Sequence, residues 1–160
     1  MIVKNFIIIF LFLNFAVSFM SDIILNDLST HFNIVKSLQP YFYKQSIIKC
    51  AFDAGMTILF ALIINMFFSY FLFGFIIPKN FTNLIYFCIL AFLIGYIIDI
   101  LIYKFKVFGD RLNVYYKNFG AGFWGSVAFV FSIVISYFIQ KYIYLLYIFI
   151  RNNRPLINRL

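Results

Sequence analysis

Two carboxylates stand inside long apolar stretches of this chain, Asp53 and Asp99. A charged side chain near the middle of a bilayer costs roughly 2.5–3.5 kcal/mol on insertion scales, so an intramembrane acid is the first place to look for function. The chemistry such acids support is cation binding or proton relay. Asp99 has Tyr96 one turn behind it, and Ile100, Leu101 and Ile102 separate it from Tyr103 and Lys104. Asp53 follows closely on Lys49 and Cys50, where a carboxylate is favoured by the helix dipole. From Asp53 a row continues at four-residue steps through Thr57, Ala61, Asn65 and Ser69. An ion or proton route would therefore use Asp99, with Asp53, Thr57 and Asn65 along the way. The competing reading is structural: Asp99 bonded to Thr57 or Tyr103, or paired with Lys49 or Lys104, and Asp53 as an ordinary helix start. On a hairpin of two helices, Asp99 is expected to lie deeper than Asp53 by several residues.

Other reactive chemistry is scarce. The chain has one histidine, His31, two cysteines and no glutamate. A closed zinc site takes four ligands of these kinds, so no metal and no cofactor is expected. Cys50 and Cys88 start neighbouring helices at opposite ends, which excludes a disulfide between them. Cys50 beside Lys49 suits lipidation on a cytoplasmic face, though a buried thiol is the simpler reading of either cysteine. Asn80-Phe81-Thr82 matches the glycosylation sequon but falls in a tight turn beside the lipid. There is no Gly-rich phosphate loop, nucleophile elbow or metal-binding helix pair. Catalytic residues are therefore not assigned, and a non-enzymatic role is expected.

The elements that must hold these residues follow from composition. Of 160 residues, 65% are hydrophobic and 11% charged, against about 25% charged in a soluble domain. Too little polar surface exists to coat a water-soluble globule, and disorder is excluded by the same numbers. The chain reads as an all-α, multi-pass integral membrane protein. Its net charge of +8 sits at the borders of apolar runs, where basic residues anchor helix ends and meet anionic headgroups. Nucleic-acid binding is not expected. The abundance of Phe, Ile, Tyr, Asn and Lys points to an AT-rich genome, such as that of a large DNA virus, a parasite or an intracellular bacterium. In the viral case the membrane would be a host membrane or the virion's.

Segment by segment, residues 1–20 read as a signal peptide or a first transmembrane segment. The apolar run Phe6–Phe19 covers 14 residues, roughly 21 Å as a helix, which suits a signal peptide cleaved after Ser18. An uncleaved signal anchor over Ile2–Met20 is the alternative. Residues 21–49 turn polar, with Ile24, Leu28, Phe32, Val35 and Leu38 on one face of an amphipathic surface helix that starts at Ser21 or Asp22. A three-span bundle occupies residues 50–150, with spans at about 51–77, 84–103 and 119–141. The first two form a tight hairpin closed by Pro78-Lys79-Asn80. The third is followed by an interfacial helix rich in tyrosine, because residues 119–150 in one span would reach about 48 Å and Gln140-Lys141 interrupts them. A basic tail, 151–160, completes the chain.

Call the side holding residues 21–49 and 104–118 side B, and the opposite side A. Side A carries Lys4, Lys79, Lys141, Arg151, Arg154 and Arg159; side B carries Lys36, Lys44, Lys49, Lys104, Lys106, Arg111 and Lys117. Six against seven sets no orientation by the positive-inside rule.

Packing signals outnumber chemical ones. Ala91 and Gly95 make a small-xxx-small step, and Ala121, Gly125, Ala128, Ser132 and Ser136 form a stripe of small residues. Such stripes let helix backbones approach in lipid. The expected role is that of a structural or assembly subunit, partnered by the bilayer and by copies of itself or another membrane protein. The alternative is a small cation or proton pathway centred on Asp99.

Overall fold

The computed structural model describes residues 2–32, 47–105 and 120–157. Four helices make up these residues: α1 (Ile2–Phe32), α2 (Ile47–Phe73), α3 (Phe81–Lys104) and α4 (Gly120–Ile157). Each is long and apolar enough to cross a membrane, the apolar stretches being Asn5–Ile24, Ala51–Phe73, Phe81–Leu101 and Gly125–Arg151. The chain is an all-helical bundle with the character of a multi-pass integral membrane protein.

The helices pack in the cycle α1–α2–α3–α4, each against two neighbours, so that α1 faces α3 and α2 faces α4 across the centre. Phe10, Leu62, Phe87, Phe129 and Ile133 fill that centre and are fully buried. The Phe10 and Phe87 rings meet edge to face at 6.2 Å, a favoured aromatic geometry. The outward faces are equally apolar: Phe12, Phe60, Phe67, Phe71, Ile89, Leu93, Phe131 and Phe138 are all exposed. Apolar residues inside and outside alike are what lipid as a solvent demands, since a helix apolar all round must be surrounded by core or by membrane.

Several boundaries differ from those read in the sequence. α2 stops at Phe73 and not at Ile77, because Gly74 takes a left-handed conformation (φ 73°) and donates its N–H to the Tyr70 carbonyl at 3.0 Å, ending the helix as glycine C-caps do. α3 starts at Phe81, three residues earlier than expected. Its cap is Asn80, whose side-chain oxygen accepts from the Asn83 N–H at 2.8 Å. α1 passes Ser21 and Asp22 without a break and runs on to Phe32. The remainder of the amphipathic segment, residues 33–46, lies outside the described residues, as do residues 106–119 and 158–160. α4 is a single helix of 38 residues, about 57 Å long. Gln140 faces inward and Lys141 outward, so the polar pair is accommodated by rotation along one helix and requires no interruption.

Gly74 offers a clean test of the α2–α3 turn, because a Cβ there would meet nothing within 4 Å. Gly74→Ala is expected to lower stability in detergent by about 1–2 kcal/mol through backbone conformation alone. Gly74→Asn should cost less, since Asn tolerates the left-handed region. Thermal unfolding midpoints of the two variants measure the difference.

Candidate functional site

The α3–α4 seam holds Asp99. Its register is set at Gly95, where an added Cβ would stand 3.3 Å from the Ser126 backbone and 3.1 Å from the Phe129 ring. The two helices therefore touch nearly backbone to backbone, as small residues permit in lipid. One turn on, the Asp99 carboxylate lies against Gly125 so closely that any side chain at 125 would collide with it. Tyr96 covers Gly122 in the same way, its ring 2.9 Å from where a Cβ would be. Ser126 turns its hydroxyl back to the Gly122 carbonyl at 2.7 Å. Asp99 is thus held in a notch cut for it by glycine on the facing helix.

Asp53 and Thr57 are half-buried on α2. The Thr57 hydroxyl donates to the Asp53 carbonyl at 2.8 Å, which commits its proton within its own helix. Asn65 is fully buried and donates through Nδ2 to the Phe87 carbonyl of α3 at 3.3 Å. That bond fixes the hairpin register. Asp53 and Asp99 each lie twelve residues from it along their own helices, about 18 Å in each case. The two acids therefore share a depth, and Asp99 is not the deeper one. Among the described residues no cluster of three or more His, Cys, Asp or Glu could hold a metal ion.

The small-residue positions fall unevenly. Ala91 and Gly95 are buried, as are Ser132 and Ser136, while Gly125 is half-buried against Asp99. Ala128 is exposed on the outside of the bundle. The side chain of Ala121 lies outside the described residues. The buried line on α4 runs instead through Gly122, Ser126, Phe129, Ile133, Ser136, Tyr137 and Gln140. Contact of Ser126 with Gly95 sets the rotation of α4, and that rotation carries position 128 to the outside.

Asn14 of α1 and Gln140 of α4 were not among the expected site residues. Asn14 is fully buried. Its Nδ2 donates to the Phe10 carbonyl at 2.8 Å, while the Ser132 hydroxyl of α4 lies 3.0 Å from the Asn14 carbonyl and 3.1 Å from its Oδ1. Gln140 Nε2 donates to the Phe6 carbonyl at 2.8 Å. Phe15 meanwhile lies over Gly55 of α2, 2.8 Å from where a Cβ would be. The available signal was an Asn and a Gln inside apolar helices, each of which needs a partner where no water reaches. Near the centre, Asn65 Oδ1, Ser69 Oγ and Ser136 Oγ are buried with no protein partner.

Gly125→Ala is expected to cost roughly 1–3 kcal/mol of stability, as overpacking does. In an Asp99→Ala background the same change should cost little, because the colliding carboxylate is gone. A double-mutant cycle by thermal unfolding reads the coupling, and additive effects would refute the notch. No protein-family model, curated protein or solved structure matches this chain.

Proposed function

We propose that this chain is a non-enzymatic structural or assembly subunit of a membrane, acting through helix–helix packing. The observation that carries the reading is where the buried polar side chains are spent. Asn14, Ser132, Gln140 and Asn65 each bond to a neighbouring helix of the same chain, and Asp99 is seated on Gly125. These contacts hold helices together. From Lys141 to Ile150, α4 is exposed at every position but the half-buried Ile148; Tyr144 meets Phe6 of α1 edge to face at 5.5 Å, and the rest is a length of aromatic and aliphatic helix available to lipid or to a second membrane protein.

The same contacts support α1 as a retained anchor and fourth span, and not as a signal peptide removed after Ser18. Cleavage there would take away Phe10 from the core and the partners of Ser132 and Gln140. In lipid such orphaned groups find no water.

A second reading, the cation or proton pathway, is favoured by one observation: the buried oxygens of Asn65, Ser69 and Ser136 that have no hydrogen-bond partner in the protein. Buried polar atoms of this kind are ordinarily satisfied by ordered water. Flux through liposomes separates the two. The purified full chain and Asp99→Asn are reconstituted side by side, with oligomeric mass measured in mild detergent. The packing role predicts a stable oligomer or a co-purified membrane partner, with no proton or cation flux in either protein. Wild-type flux that a folded Asp99→Asn variant loses would replace it with the pathway.

A further inference from the structure

The charges of the chain are distributed unequally by sign. Among the described residues, the acids Asp22, Asp27, Asp53 and Asp99 fall on the half of their helices towards side B, and side A has no Asp or Glu. Side A is where α1 and α3 begin and where α2 ends and α4 runs out. There Lys79, Lys141 and Arg151 are exposed.

On that side an open groove runs along the last two turns of α2, lined by Met66, Phe67, Tyr70 and Ile76, with a volume of about 220 Å³. Met66 forms its floor, at 6% exposure, while Phe67, Tyr70 and Ile76 form open walls. The volume is below that of a drug-sized pocket and suits part of one hydrocarbon chain. The groove leads along the last two turns of α2 towards the turn at Gly74, and the chain then reaches Lys79 three residues after Ile76. Three residues span at most about 11 Å, so the exposed Lys79 follows within that backbone distance of the last residue lining the groove.

We propose that this groove and Lys79 form a binding site for an anionic phospholipid, its acyl chain against Met66, Phe67, Tyr70 and Ile76 and its phosphate at Lys79. Charge complementarity selects the occupant. A zwitterionic lipid fills the groove equally well, but a net negative headgroup gains more from an end of the bundle that carries Lys79, Lys141 and Arg151 and, among the described residues, no acid. The site rests on residence in a bilayer and is independent of whether the bundle conducts or assembles.

Native mass spectrometry tests it on the full chain in nonionic detergent, offered equal amounts of phosphatidylglycerol and phosphatidylcholine with the same acyl chains. Wild type should retain phosphatidylglycerol preferentially. Lys79→Gln should reduce that preference about five-fold, the worth of one lysine at an anionic surface, while Lys141→Gln on the same side leaves it unchanged. Ile76→Trp, which fills the groove, should lower retention of both lipids, and Phe67→Ala, which removes a wall, provides a second groove variant. Each variant is first shown to be folded by circular dichroism and size exclusion. Equal retention of the two lipids by wild type would overturn the proposal. So would a preference that Lys141→Gln abolishes as fully as Lys79→Gln, or retention indifferent to both groove variants.

Discussion

A bilayer core offers no water to a polar group, so an amide buried there must find its partner in protein. Asn14 is the residue on which that constraint bears hardest. It sits fully buried on α1, and Ser132 of α4 approaches both its carbonyl and its side-chain oxygen. A serine hydroxyl reaches a backbone carbonyl on another helix only when the two backbones run close together. The contact therefore fixes the distance between α1 and α4, and with Gln140 on the Phe6 carbonyl two turns away it fixes their register too. Phe10, one turn from Asn14, is thereby held at the centre of the bundle against Phe87.

The remaining seams depend on that placement. α2 is set against α1 by Phe15 over Gly55, and α3 against α2 by Asn65 on the Phe87 carbonyl. α3 meets α4 through Gly95 and Ser126, with Asp99 in its glycine notch. Dispersion alone drives helices together weakly in lipid, since acyl chains are as apolar as leucine. What selects one arrangement is that each helix pair has a close backbone approach or a polar contact that a different register would leave unmade.

Much of this was legible from residue types. The membrane class, the α2–α3 hairpin and the closely packed Ala91–Gly95 step follow from hydropathy, turn residues and the need for small side chains where backbones touch. Three features were hidden for physical reasons. Asn14 disappears in a run of Phe, Ile and Leu, because average hydropathy does not register a single amide whose cost is met by a partner 118 residues away in sequence. The continuity of α4 is masked by Gln140-Lys141, which reads as a break until one sees that neighbouring residues on a helix point about 100° apart. Ala128 falls on a plausible stripe of small residues, yet the rotation of α4 is decided by Gly95 on the facing helix, which no pattern within α4 can contain.

The proposal that α1 stays in the bundle as a permanent wall is open to a simple check. The most direct measurement is the intact mass and N-terminal sequence of the protein isolated from membranes. Retention predicts a chain that still contains Phe6, Phe10 and Asn14, co-migrating with the folded bundle. A mature protein beginning at Phe19 and still folded as α2, α3 and α4 would contradict that proposal and show that α1 is dispensable, because Ser132 and Gln140 would then lack the α1 partners they bond to here.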